Sequence, residues 1–585
     1  MRPFNITKTI LFVLTILLLF ASLVQQQSHV FSFKPLAGVF EPTPKPQLTF
    51  ESCRTSHYQS QTEGHLRENF GFREPLIRLY NQFLYDFLRT TYNEHVVVGK
   101  NNWLYFDQNV NDYYGMEMYR WFDSKEEASQ AFNREARLMW KLRGVLHEYD
   151  IEFLVFIAPE KGFVYPEFLP RRKFDTTSIN ASKYYAAKFD EYGIPYIEMT
   201  KWFVEMKAAD TLPYSLFPQS GAHWTFSSVL AADSLFRFMG DLKDIQLPRL
   251  QYGPLHESTE ATLKGDHDTE RIMNLLHPLS HKYDRLYDAE VNIMTDENTT
   301  RPSVIFVGTS FLERMYYFIP FDDVFSNSEY WYYNSSIRYG KKYEKTTLVE
   351  TSDILQKLLD SDYVVWFSDG EQLYKASFGF VGTALMNLCV EKSEVLRVHK
   401  QVLDSLMSDE EAKQTMQRCT ESERFNELWE QTVELVRKNP EYYFPQLAGD
   451  GIPTARNSYI PEALAIKNIK RDVAWMTNVQ CQTVLRGMTL EEVLKIEAQN
   501  VLNNSPLMRD EPDVVTRETY IQYLTKEVER EILAKPELVE NVRQKSETTG
   551  LSFEQQLDAD ARWIVNDQID KGEIFIPDFI SNTEP

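Results

Sequence analysis

Two residues of this chain are placed to do acyl chemistry together: a serine between a strand and a helix, and a histidine just before another helix. In "SVIFVGTSFLERMYYF" (residues 303–318) an apolar run, a Gly-Thr-Ser turn and a helical stretch follow one another. Ser310 would then stand at the end of a buried strand with the positive end of a helix behind it. Its hydroxyl would stay exposed, and backbone N–H groups would lie where an oxyanion develops. The plainer reading is a serine that caps its helix. A nucleophilic serine needs a base. His223, in "SGAHWTFSS" (residues 220–228), is the best placed of the eleven histidines, its plainer reading being a ring packed beneath the helix it precedes. The third role, an acid that holds the imidazole, is expected at a strand end. Asp369, which closes "VVWFSDG" (residues 364–370), is the first candidate; Glu371 and Glu160 are the others. Each also reads as a turn former or a capping acid.

Such residues work only if the chain brings strand ends together. Short apolar runs at residues 151–159, 194–199, 303–308 and 362–370 alternate with helical segments, which predicts an α/β fold with a mostly parallel sheet covered on both faces. In such a sheet the productive crevice lies at the carboxyl ends of the strands. "VVVGKNNWLYF" (residues 96–106) predicts a β-hairpin, and residues 68–88 an amphipathic helix that leads into the domain.

Other motifs in the chain carry weaker signals. "GDHD" (residues 265–268) carries two carboxylates and an imidazole, but four consecutive residues do not converge on an ion without further ligands, so it reads as a loop. The aromatic run "EYWYYNSS" (residues 329–336) suits either stacking on sugar rings or a core strand. Asn-x-Ser/Thr triplets at Asn180, Asn298 and Asn334 are too common to use. Cys389 and Cys419 allow one bridge at most, and the four cysteines give neither a disulfide scaffold nor a zinc site. No cofactor is implied.

With 62 basic and 85 acidic residues the net charge is −23, which argues against nucleic acid as a partner. At the N-terminus, Arg2 and Lys8 precede an uncharged apolar run, residues 10–24, and a polar "QQQS" follows. Its length lies between a signal-peptide core and the roughly 17–25 residues of a spanning helix. Without a clean cleavage site it is expected to remain as a signal anchor, basic flank inside and the rest of the chain outside the cytoplasm. The expected domains are residues 1–27, a signal anchor; 28–95, a linker and membrane-proximal helix; 96–385, the α/β domain; and 386–585, a helical domain. That last region contains a repeat, "GMTLEEVLKIEAQNV" (residues 487–501) against "GLSFEQQLDADARWI" (residues 550–564), with Thr489 and Ser552 as N-caps. It reads as a packing or docking module.

Six blocks occur in the order and spacing of one known family: "VVVGKNNWLYF", "APEKGFVYPEFLP", "SGAHWTFSS", "GDHDTERIMNL", "VGTSF" and "VVWFSDGEQLYKASFGF". Across roughly residues 60–385 the chain resembles the alginate O-acetyltransferase AlgJ/AlgX family, whose members carry an SGNH-hydrolase-like domain. The terminal helical region lies outside the resemblance. Matched to its motifs, Ser310 stands for the nucleophile, His223 for the general base and Gly308 for the turn glycine, while Tyr316 stands where the family places a tyrosine near the site. Two positions depart: Gly221 and Thr309 replace the aspartates that precede the histidine and the serine. The resemblance implies a membrane-anchored, extracytoplasmic O-acetyltransferase with a polysaccharide acceptor, supplied with acetyl by a membrane-bound O-acyltransferase. The rival readings are a deacetylating esterase and, because of Gly221 and Thr309, a degenerate polysaccharide-binding scaffold.

Overall fold

Runs of Val, Ile, Phe and Trp without polar interruption cannot leave one face in water, and in this chain they become the wholly buried middle of a sheet. The computed structural model describes residues 6–38, 43, 45–54, 56–258, 266–279, 286–339, 345–408, 421–456, 460–509, 516–572, 574, 576 and 577. In chain order its strands are β1 (Val96–Val98), β2 (Leu104–Phe106), β3 (Glu152–Ala158), β4 (Tyr196–Glu198), β5 (Arg249–Tyr252), β6 (His256–Ser258), β7 (Leu286–Asp288), β8 (Val291–Met294), β9 (Ser303–Gly308), β10 (Asn327–Tyr332), β11 (Ser336–Tyr339), β12 (Lys345–Leu348) and β13 (Tyr363–Asp369).

The main sheet runs β12-β11-β10-β9-β13-β3-β4. From β10 to β4 all neighbours are parallel, as the alternation of strands and helices implies; β11 and β12 add an antiparallel edge. Every residue of β3, β9 and β13 is buried. Helices Lys125–Glu148, Ala181–Tyr192, Thr200–Ala209 and Ser227–Lys243 lie along the chain between these strands. The chain leaves β3 toward β4 and leaves β9 toward β10, in opposite directions, so the carboxyl ends of β3, β13 and β9 flank the point where the topology reverses. β1 and β2 form the expected hairpin, Val96 opposite Phe106, turned by Asn101 and Asn102 at positive φ.

Two compact units divide the chain: residues 1–147 with 151–454, and residues 148–150 with 455–585. The helical region expected to begin at residue 386 therefore belongs in part with the α/β unit. Helix Lys125–Glu148 is the reason: its buried Lys141 pairs with Glu441 at 2.5 Å and donates to the Leu447 carbonyl at 2.7 Å. In the second unit Thr489 and Ser552 cap helices Leu490–Leu502 and Phe553–Asp570, each with a reciprocal capping box, and Gly487 and Gly550 end the preceding helices at positive φ. The duplication is thus a repeated helix–Gly–cap–helix joint. Cys419, the expected partner of Cys389, lies outside the described residues. Helix Ile6–Ser28 leads the chain, and its residues 8–28 are long and apolar enough to cross a membrane.

Candidate active site

Ser310 and His223, 87 positions apart, meet at the carboxyl end of β9: the Ser310 hydroxyl lies 2.8 Å from His223 Nε2. Each is placed by its own element. β9 ends at Gly308, and Ser310 stands before helix Phe311–Phe318 with φ −61°. A Cβ at Gly308 would come within 2.7 Å of the Phe367 carbonyl, so glycine lets the turn pass close to β13. His223 lies in the loop before helix Ser227–Lys243, its ring against Phe311 at 4.9 Å. Neighbouring Trp224 is buried and donates to the Phe311 carbonyl at 2.9 Å, which fastens the two loops together.

The carboxylate on the imidazole is Asp268, not Asp369. Asp268 Oδ2 is 2.5 Å from His223 Nδ1. Its other oxygen accepts from the backbone N–H groups of Ala222 at 2.8 Å and Thr269 at 2.7 Å. Burial alone would raise the Asp268 carboxyl, but the facing His223 and these hydrogen bonds outweigh it and hold it below the ordinary range. Since Nε2 faces Ser310, only a group on the Nδ1 side can orient the ring, and helix Asp268–Met273 occupies that side. Asp369 ends β13, and Glu371 and Glu160 follow β13 and β3. The acid expected at Asp369 comes instead from the "GDHD" block, whose Gly265 lies outside the described residues. Its side chains diverge: Asp266 pairs with buried Arg314, His267 Nδ1 meets the Ser220 hydroxyl at 2.7 Å, and Asp268 takes His223. The block docks a loop and binds no common centre.

Two buried cations brace this arrangement. Lys161 is fully buried, and its ammonium donates to the carbonyls of Leu104 at 2.6 Å, Gln219 at 3.1 Å and Gly221 at 2.7 Å. Trp103 and Tyr105 present ring faces to it at 5.0 Å. The loop before His223 is therefore gathered onto one charge, and Gly221, where an acid was looked for, contributes a backbone carbonyl. Arg314, on the helix that follows Ser310, joins Asp266 to the Trp224 carbonyl at 3.0 Å.

On the far side of Ser310 stands Tyr333, which the sequence reading passed over inside "EYWYYNSS". Tyr330 and Trp331 of that run are core residues of β10. Tyr333 then turns at φ 47°, with its N–H on the Gly308 carbonyl at 2.9 Å and its ring edge-on to Phe378. Its phenol faces the Ser310 hydroxyl and backbone N–H, which both act on it by hydrogen bonding. Burial, then the Asp369 charge, raise the phenol, so it remains a neutral donor. Tyr316, expected near the site, stacks instead on Phe321 at 3.9 Å and lies 3.4 Å from the Ser328 hydroxyl, in the aromatic core. Six residues beyond Ser310, the helix has rotated that side chain onto β10.

Beneath the triad the strand ends carry buried acids. Glu160 hydrogen-bonds Asp112, which also takes the Tyr374 hydroxyl, and Glu371 accepts from Asn109. Burial raises all of them. It also pushes Asp369 up to about 6, against the opposing pull of Thr309 and His223. Glu117, the next acid out, is raised to about 7. For a carboxyl whose folded pKa is raised, the native state holds the proton more tightly, so stability is greatest below about pH 4 and falls as pH rises through about 7. Glu117, shifted from 4.5 to about 7, would by itself account for about 3 kcal/mol of that loss. The thermal midpoint should accordingly drop between pH 5 and pH 8 in scanning calorimetry, and Glu117→Gln should flatten the slope; an unchanged slope would assign the dependence elsewhere.

Residues 96–324 match the family model described as the SGNH hydrolase-like domain of acetyltransferase AlgX. No curated protein matches the chain. Among solved structures, the O-acetyltransferase domain of Pseudomonas putida AlgJ is 16% identical, covering 48% of this chain and 92% of that one with a TM-score of 0.33. Pseudomonas aeruginosa AlgX is 17% identical, covering 49% and 67%, TM-score 0.31. Bacillus cereus PatB1, solved with a sulfonyl adduct, is 11% identical, covering 44% and 94%, TM-score 0.28. Over residues 96–324, then, this chain is similar to the SGNH hydrolase-like domain of acetyltransferase AlgX.

Proposed function

We propose that this protein is a membrane-anchored O-acetyltransferase that works outside the cytoplasm and places acetyl on the hydroxyls of a polysaccharide. The observation that carries this reading is the Asp268–His223–Ser310 chain of hydrogen bonds in the matched domain. Ser310 Oγ attacks the acetyl carbonyl of a donor while its proton passes to His223 Nε2, and Asp268 steadies the imidazolium. The oxyanion takes hydrogen bonds from the Ser310 N–H and the Tyr333 phenol. His223 returns the proton to the departing donor group, leaving acetyl-Ser310. A sugar hydroxyl, deprotonated by His223, then attacks that ester, and Ser310 leaves with the proton. Acetyl-CoA is confined to the cytoplasm, so a membrane-bound O-acyltransferase is the expected donor. Helix Ile6–Ser28 keeps the chain beside it, with Arg2 and Lys8 on the cytoplasmic side.

Gly221 and Thr309 favour a non-catalytic scaffold; Asp268 on His223 Nδ1 supports the catalytic reading despite Gly221. A fluorophosphonate should label purified full-length protein at Ser310, read by peptide mapping, and silence would favour the scaffold. Supplied with p-nitrophenyl acetate, the labelled-site enzyme should pass acetyl to an oligosaccharide acceptor; release only to water would make it an esterase. Tyr333→Phe should slow acetyl-enzyme formation roughly 10–100-fold without a change in thermal midpoint, since one oxyanion donor is lost. An unaltered rate would remove Tyr333 from the mechanism.

A further inference from the structure

Helix Arg73–Phe83, continued by the π-turn Leu84–Leu88, is apolar on two sides. Its buried side sets Leu84 and Tyr85 beside two amides: Asn81 donates to the Met273 carbonyl at 2.7 Å, and Gln82 accepts from the His277 N–H at 3.0 Å. Its outer side carries Leu76, Leu79, Tyr80, Phe83 and Phe87, from 50% to 74% exposed. Their spacing, i, i+3, i+4, i+7 and i+11, makes one continuous stripe. A water-facing helix would carry polar residues along that outer side, so the stripe is made for an apolar environment.

The start of this helix is locked to the end of the N-terminal apolar helix. A Cβ at Gly71 would lie 2.1 Å from the Ser22 carbonyl, so glycine permits backbone contact there. Phe72 packs on Phe31 and Phe33, with ring centroids 6.2 Å and 5.7 Å away. Ser22 belongs to the last turn of the uncharged run 10–24. That level is where a spanning segment leaves hydrocarbon for headgroups. Residues 8–28 of the N-terminal helix are long and apolar enough to cross a bilayer core, so the stripe is held beside the outer end of the span. Tyr80 paired with Tyr92, and Phe83 with Phe87, supply rings of the kind that settle in the interface.

From this geometry we infer that Leu76, Leu79, Tyr80, Phe83 and Phe87 form an interfacial membrane-docking face, its occupant the outer leaflet of the lipid bilayer itself. The inference rests on the anchor proposed above. It has a consequence for the active site: the same helix holds, through Asn81 and Gln82, the segment that runs on from Asp268. The triad acid is mounted on the element nearest the membrane.

The test uses full-length protein in phosphatidylcholine–phosphatidylglycerol vesicles. Phe83→Cys and Phe87→Cys, each with Cys53→Ser and Cys419→Ser, are labelled with nitrobenzoxadiazole. Both positions are exposed, and a thermal midpoint matching the parent checks that the fold is kept. Lipids carrying a doxyl quencher near the headgroup should cut the emission at both sites by roughly half, and a quencher at the chain end should cut it less. Flotation with the vesicles reports the anchor separately. Protein that floats with a wet, unquenched label overturns the docking face but spares the anchor. A label that is dry yet unquenched means protein covers the stripe, and also overturns it; protein that does not float overturns both.

Discussion

Asp268→Asn should lower acetyl-enzyme formation by about 10³–10⁴-fold and leave the thermal midpoint nearly unchanged. The substitution preserves shape: an amide oxygen can still accept from the Ala222 and Thr269 N–H groups. What changes is the partner of His223 Nδ1. The amide N–H₂ would donate to that nitrogen, so the ring would carry its own proton on Nε2, where Ser310 needs an acceptor. Asp369→Asn is the paired control. Asp369 lies on β13 beside Thr309 and reaches His223 only through space, so its loss should alter the rate by less than about 10-fold. Burst kinetics with p-nitrophenyl acetate separate the two variants. A large loss in Asp369→Asn with a mild one in Asp268→Asn would return the triad to the assignment read from the sequence and refute the geometry.

That exchange of acids shows which parts of the site were legible. Strands β3, β9 and β13 were readable because both their faces are buried, so the apolar run itself is the signal. Ser310 and His223 were readable because each sits where a regular element begins, and a strand–turn–helix joint has a sequence signature. Asp268 had none: its role depends on a loop docking through Arg314–Asp266 and Ser220–His267, contacts between segments roughly 45 residues apart that no local pattern encodes. Proximity in sequence misled in the other direction for Tyr316, because six residues along a helix is more than one turn and reverses no loop onto the site. Tyr333 was hidden by its neighbours, since Tyr330 and Trp331 give the run its core character and only the positive φ at Tyr333 turns one ring toward Ser310. The antiparallel edge β11–β12 escaped because its strands are short and Thr346, Thr347 and Leu348 of β12 are all exposed, so no apolar run marks it.

Lys161→Met should cost roughly 3–5 kcal/mol and abolish acylation together with the fold of the His223 loop. Methionine matches the length of the side chain but offers nothing to the Leu104, Gln219 and Gly221 carbonyls, which would remain buried without their donor. Removing a surface lysine has no such effect, and Lys207, on helix Thr200–Ala209, is the natural comparison: it too reaches a carbonyl, that of Val164 at 2.7 Å, but is 28% exposed. Lys207→Met should cost less than about 1 kcal/mol, because water replaces the lost ammonium. For Lys161→Met the thermal midpoint should fall on the order of 10 °C, and fluorophosphonate labelling of Ser310 should disappear even well below that midpoint. Labelling that persists in a destabilised Lys161→Met protein would mean the loop holds His223 without its central charge. Lys161→Arg sharpens the point, since a planar guanidinium keeps the charge but not the compact three-donor head that the carbonyls surround, and it should fail as methionine does.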